Sequence, residues 1–164
     1  MSMTISHNCG KPEYCSMIDN GKTVEQYLAE KGEYVATTAG FSMYPLLKDK
    51  QYAVKIVPAN GRLKKYDVAL FRRGTQLVLH RVIKVCPDRY FIRGDNCEAG
   101  DWVYDSQIVG VLSEITGKKK HIKITDKSYV LYSHLTVFFY PCRYAIKKSY
   151  RFARRIARRV LKGK

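Results

Sequence analysis

Between residues 52 and 124, short runs of β-branched and aromatic residues alternate with polar turns rich in Gly, Pro, Asn and Lys. This alternation is typical of short strands linked by tight connections. The predicted strands are Tyr52 to Val57, Asp67 to Arg72, Gln76 to Val85, Tyr90 to Arg93, Gln107 to Ile115 and His121 to Ile124. We therefore expect a mainly β fold, a coiled and largely antiparallel sheet or a partial barrel.

A short helix is predicted before these strands. Thr23 and Gln26 have the spacing of a capping box, in which the two side chains satisfy free backbone N–H groups at a helix start. The helix should run to about Lys31, before Gly32 stops it.

The carboxyl end has a different pattern. Residues 143–164 carry ten Lys or Arg residues and no Asp or Glu, out of a net charge of +16 for the whole chain. Ile146, Tyr150 and Ala153 recur at spacings of three and four, with the cations on the other side. This spacing predicts a basic amphipathic helix.

The segment just before that helix, residues 127–142, is apolar and aromatic but shorter than the roughly 20 residues that a spanning helix needs. The two segments together favour an interfacial anchor on anionic lipid. The cations expected to face the membrane are Arg151, Arg154, Arg155, Arg158 and Arg159. A partner protein bound through the same helix is an alternative, and nucleic acid is a weaker one.

The length of 164 residues, 46% of them apolar, suits one domain with appendages. The predicted divisions are a polar arm at 1–20, a globular domain at 21–126, the apolar segment at 127–142 and the basic helix at 143–164. Residues 1–20 have no apolar run of the kind that a secretory signal or a spanning helix needs. We therefore expect a cytoplasmic chain that is peripherally associated with the membrane.

The five cysteines are an odd number with irregular spacing, which favours reduced, structural thiols. A zinc site would have to combine His7, Cys9 and Cys15 with a remote ligand, and the usual ligand spacings are missing. No metal and no cofactor are predicted.

Groups suited to nucleophilic catalysis occur in order along the chain as Ser42, His80, Asp95 and Asp101. A serine hydroxyl attacks a carbonyl effectively only when a base accepts its proton, and imidazole, with a pKa of about 6.5, can do so at neutral pH. An acid then holds the ring in the correct tautomer, and either aspartate could supply it. Arg81 should point away from His80 and bond carboxylates or carbonyls instead.

Three boxes carry these groups: Gly-Phe-Ser-Met-Tyr-Pro at 40–45, His-Arg-Val at 80–82 and Gly-Asp-Asn at 94–96. From Glu33 to Leu112 the chain resembles the type I signal peptidase family of serine peptidases. In that family the second box carries Lys in the usual bacterial enzymes and His in the endoplasmic-reticulum type, so the chain is similar to the Ser–His branch.

The resemblance implies a serine endopeptidase that cleaves a leader or signal segment from a peptide or preprotein. Ser42 would be the nucleophile, His80 the base and Asp101 the partner of the histidine, with Asp95 building the site beside it. Many relatives have a Ser where Gly40 stands, so the oxyanion hole would rest on the Ser42 backbone N–H and one further donor.

Other interpretations remain open from the sequence. Lys84 lies on the same predicted strand face as His80, which allows a Ser–Lys pairing. The chain could instead cut its own amino-terminal arm near Cys9-Gly10, as related self-cleaving repressors do. It could also be a non-catalytic module that binds the membrane surface through its basic helix.

Overall fold

The computed structural model describes residues 23–118 and 120–162. Within them, eight strands form one open antiparallel sheet, which confirms the expected mainly β fold. The strands are β1 (Tyr34–Thr37), β2 (Tyr52–Val57), β3 (Val68–Arg73), β4 (Gln76–Val85), β5 (Arg89–Arg93), β6 (Asp101–Tyr104), β7 (Ile108–Gly117) and β8 (Lys120–Lys123). Their order is β1-β2-β7-β3-β4-β5-β6, and β8 pairs with the second half of β7. The zinc candidates and the Cys9-Gly10 bond lie outside the described residues.

Strands β1 and β6 were not expected. Each has only four residues and lies at an end of the main strand order. Such short segments carry little periodicity of their own, and pairing with a longer neighbour defines them instead.

Helix α1 (Val24–Lys31) begins and ends as predicted. The Thr23 hydroxyl accepts from the Gln26 N–H at 3.3 Å, and the Gln26 side chain accepts from the Thr23 N–H at 3.0 Å. Gly32 ends the helix with a φ of 74°, a left-handed conformation that glycine adopts at little cost. Leu28 of this helix is buried in the core.

Strand β4 is buried on both faces, and this arrangement positions the candidate site. Leu77 and Leu79 belong to the first of two hydrophobic clusters, whereas Val78 and Val82 belong to the second. Successive side chains of a strand point to opposite faces, so consecutive polar residues on β4 are buried in separate surroundings.

The two carboxyl-terminal helices are α2 (Lys127–Phe138) and α3 (Tyr140–Lys162). Tyr129 of α2 is buried in the first hydrophobic cluster. The basic helix predicted from Arg143 begins three residues earlier, at Tyr140. Among the residues described, neither these helices nor α1 combines the length and the apolar character that crossing a bilayer requires.

Candidate active site

Ser42 lies in the turn that follows β1, and its neighbours fix that turn to the domain. Met43 and Leu47 are buried in the first hydrophobic cluster. The Gly40 N–H donates to Asp49 Oδ1 at 2.7 Å, and Gly40 itself has a φ of 86°, where a side chain would be strained. Asp49 was not among the predicted site residues, although it matches the aspartate of a Gly-Asp pair that follows the proline in the signal peptidase family.

The Gly-Asp-Asn box holds the same turn from the other side. The Asn96 N–H donates to the Ser42 carbonyl at 2.8 Å. The Asn96 side-chain amide donates to the Phe41 carbonyl at 3.1 Å. Two of the three sequence boxes are therefore in direct hydrogen-bonded contact.

Gly94 shows how closely Ser42 and His80 approach each other. A Cβ atom added at Gly94 would lie 2.7 Å from the Ser42 carbonyl oxygen and 3.0 Å from His80 Nε2. The Ser42 backbone carbonyl and the imidazole therefore both border the space beside Gly94, which a side chain at position 94 would fill.

His80 is buried, with 5% of its surface exposed, and its ring packs at a tilt against Phe71. Burial, together with the positive charge of Arg73, lowers the pKa of His80 to about 4, although Asp95 acts in the opposite direction. The imidazole is therefore neutral at pH 7 and can accept a proton. Its Nδ1 atom is buried, and none of the described residues forms a hydrogen bond with it.

Asp101 shares a sheet face with His80 but binds a different residue. It pairs across strands with Ile92, which pairs with Val82, and paired residues lie on one face. Its Oδ2 atom accepts from Arg73 Nη1 at 3.3 Å. Asp101 therefore lies on the same sheet face as His80, bonded to Arg73, and no hydrogen bond joins it to the imidazole.

Asp95 lies on the opposite face, behind the imidazole. Both of its oxygens accept from the buried Arg81 guanidinium at 2.8 Å, and Oδ2 also accepts from the Tyr132 hydroxyl at 3.1 Å. Arg81 also donates to the Tyr66 carbonyl at 3.1 Å and to Ser133 Oγ at 2.8 Å. Arg81 therefore points away from His80 and bonds a carboxylate and a carbonyl, as predicted.

This pairing explains the charge state of Arg81 and gives Asp95 a structural position. Burial alone opposes the positive charge, but the hydrogen bonds and the negative charge of Asp95 raise the pKa of Arg81 above its ordinary value. Asp95 thus joins β4 to helix α2, and its hydrogen bonds go to Arg81 and Tyr132 rather than to the imidazole.

A small cleft beside the serine is lined by Thr38, Ala39, Gly40, Met43 and Leu79. Among the described residues, none accepts a hydrogen bond from the Ser42 N–H. The Gly40 N–H is already bound to Asp49.

The cations of α3 occupy two different environments. Arg151, expected to face lipid, forms two bonds with the Glu98 carboxylate, at 2.8 Å and 2.6 Å. Arg154, Arg155 and Arg158 are exposed, and Arg159 lies further along the same helix.

No protein-family model matches this chain, and a search of curated proteins finds no significant match. The resemblance to type I signal peptidases therefore rests on the three sequence boxes. Within residues 23–118 and 120–162, no cluster of His, Cys, Asp and Glu has the arrangement of a metal site.

Proposed function

We propose that the protein is a serine endopeptidase of signal-peptidase type that uses Ser42 and His80. The observation that supports it best is at Gly94, where an added Cβ atom would lie 2.7 Å from the Ser42 carbonyl oxygen and 3.0 Å from His80 Nε2. The serine turn and the imidazole therefore border the same small space. The buried imidazole is neutral at pH 7 and can therefore accept a proton, although its low pKa makes it a weaker base than an ordinary histidine.

In the proposed reaction, the Ser42 hydroxyl attacks the scissile carbonyl while His80 accepts its proton. The developing oxyanion binds to the Ser42 N–H, and His80 returns the proton to the leaving amine. Water then hydrolyses the acyl-enzyme with the same base. Asp101 is the proposed partner of the imidazolium. To reach it, the Asp101 carboxylate would break its bond with Arg73 and form one with His80.

The proposed substrate is an extended peptide, such as the leader of an exported or ribosomally made peptide. β1 lies at one end of the strand order and leads directly into the serine turn, so a peptide that paired with β1 would pass the nucleophile. The small cleft lined by Gly40 and Ala39 suits a small side chain next to the scissile bond.

A cleavage assay tests this proposal. Purified protein is incubated with candidate leader peptides, and the fragments are identified by mass. Ser42→Ala and His80→Ala should abolish cleavage, whereas the matched variants Ser106→Ala and His121→Ala, at exposed positions, should cleave normally. Cleavage that survives in Ser42→Ala would contradict the proposal. If the unmodified protein cleaves none of the peptides, the non-catalytic binding module becomes the better interpretation.

We also propose that the protein binds anionic membrane surfaces from the cytoplasmic side through α3. Ile146, Phe152 and Ile156 of this helix are exposed, with 69%, 65% and 45% of their surfaces open to solvent. The exposed Arg154, Arg155 and Arg158 would add electrostatic attraction to anionic lipid.

Vesicle sedimentation tests this second proposal. The protein should sediment with vesicles that contain phosphatidylserine and remain in solution with purely phosphatidylcholine vesicles. Ile146→Glu with Ile156→Glu should abolish this sedimentation. Equal recovery with both vesicle types would contradict the electrostatic part of the proposal.

A further inference from the structure

Helix α3 contacts the candidate active site directly. Lys147 Nζ donates to the Asn96 carbonyl at 3.3 Å and also to the Asn96 side-chain oxygen. Four residues further along the helix, Arg151 holds the Glu98 carboxylate with both of its terminal nitrogens. The Tyr140 hydroxyl donates to the Glu98 carbonyl at 2.9 Å.

These contacts lie on one side of the helix. Positions 140, 147 and 151 recur at spacings of seven and four, which place them on a single face. Ile146 and Ile156 lie away from this face and are exposed. The helix thus meets the domain through polar and charged groups, although its sequence is amphipathic.

The residue that Lys147 holds is the residue that holds the serine turn. Asn96 bonds the Phe41 carbonyl through its side chain and the Ser42 carbonyl through its backbone. A continuous path of hydrogen bonds therefore runs from α3 through Asn96 to the nucleophile.

We infer that Lys147 and Arg151 are positioning residues, through which α3 holds the loop at residues 94–98 against the serine turn. This inference rests on the proposed peptidase function. The Arg151–Glu98 pair is partly exposed, and such pairs contribute little to folding stability. Its position matters more, because a displacement of about 1 Å between a nucleophile and its base can cost about 100-fold in rate.

The inference separates two groups of cations on one helix. Lys147 and Arg151 bind the domain, whereas Arg154 and Arg155 are exposed beyond it. Removing Lys147 and Arg151 takes away two charges, and removing the exposed Lys120 and Lys123 of β8 changes the net charge equally. Only the first change should disturb the active site.

The test compares Lys147→Gln/Arg151→Gln with the control Lys120→Gln/Lys123→Gln. Steady-state cleavage of a leader peptide gives kcat and KM, and amide hydrogen exchange reports the Asn96 N–H that binds Ser42. We expect the first variant to lose about 10-fold to 100-fold in kcat, with KM and melting temperature nearly unchanged and faster Asn96 exchange. The control should match the unmodified protein within about twofold.

A charge swap provides the rescue. Arg151→Glu alone should lower kcat, and adding Glu98→Arg should restore most of it, because the ion pair is rebuilt with reversed polarity. An unchanged kcat in Lys147→Gln/Arg151→Gln, or an equal loss in the control, would overturn the positioning role. Failure of the unmodified protein to cleave any peptide would instead overturn the peptidase proposal on which that role rests.

Discussion

His80 and Arg81 are neighbours on β4, yet their surroundings differ in almost every respect. The Arg81 side chain is fully buried and donates hydrogen bonds to Asp95, Tyr66 and Ser133. His80 is nearly as buried, but its Nδ1 atom has no hydrogen-bond partner among the described residues. The strand thus carries a satisfied polar network on one face and an unsatisfied imidazole on the other.

The difference distinguishes Arg81, which has a structural role, from His80, which is suited to a functional one. A buried charge that is held by several hydrogen bonds has a structural role, because removing one partner leaves the other buried and unpaired. A buried polar atom without a partner costs free energy and calls for an explanation, which is often a functional one. Residues 94 and 95 show the same contrast. Asp95 completes the hydrogen-bond network of Arg81, whereas Gly94 leaves space beside His80.

The largest expected effect concerns the unsatisfied face. His80→Gln keeps a side chain of similar size and polarity but removes the base, so peptide cleavage should fall at least about 1,000-fold. The melting temperature should change little. Mass analysis of the cleavage products measures the loss of activity, and thermal unfolding measures the melting temperature. Substantial residual cleavage would show that His80 is not the base.

On the face of β4 that carries Arg81, a substitution should reduce stability more than activity. Arg81→Met leaves the Asp95 carboxylate buried without its cation, which should lower the free energy of unfolding by about 3–5 kcal/mol. Urea denaturation measures the loss. Adding Asp95→Leu should recover much of the lost stability, because the unpaired buried carboxylate is then removed as well. A single variant as stable as the unmodified protein would disprove the structural role.

Crowding at Gly94 should damage the site more than the fold. In Gly94→Ala the new Cβ would press on the Ser42 carbonyl and His80 Nε2, so kcat/KM should fall by about 10-fold to 100-fold. Gly110→Ala is the matched control, because its Cβ would crowd Ile56 and Val57 to a similar degree, away from the site. Equal losses of kcat/KM in the two variants would refute a specific role for Gly94.

The smallest effect concerns the pH dependence of catalysis. Because the pKa of His80 is about 4, kcat/KM should rise through that pH and stay level towards neutrality. Arg73 helps to keep this pKa low, so Arg73→Gln should move the acid limb to higher pH by less than about one unit. A pH–rate profile checks the shift, and an unmoved limb would exclude electrostatic control by Arg73.

The same group should affect folding stability. In the unfolded chain His80 titrates near 6.5, and in the folded protein near 4, so protonation favours unfolding. The stability contributed by neutral His80 is present above pH 6.5 and is lost as the pH falls through 4. His80→Gln should therefore lose less stability than the unmodified protein over this interval, as measured by urea unfolding.

The parts of the molecule that follow local rules could be predicted from the sequence. Strand alternation placed His80 and Arg81 on opposite faces, and the capping box at Thr23 fixed the start of α1. Both features depend on neighbours within a few positions.

The parts that depend on distant contacts could not be predicted. Asp101 bonds to Arg73, which lies 28 positions earlier in the sequence. Lys147 bonds to Asn96, which lies 51 positions earlier. The space at Gly94 exists only because three separate segments converge there, whereas the local sequence reads as an ordinary hairpin turn. The sequence boxes could therefore suggest which groups react but not what holds them in place.

The central claim, that Ser42 is a nucleophile activated by His80, is tested most directly by acylation. The protein is mixed with an activated acyl ester between pH 3 and pH 8, and the adduct is located and timed by mass spectrometry. We expect one acyl group on Ser42, formed at a rate that rises through about pH 4 and is lost in His80→Gln. An adduct elsewhere, or one that forms on Ser42 equally fast without His80, would contradict the account.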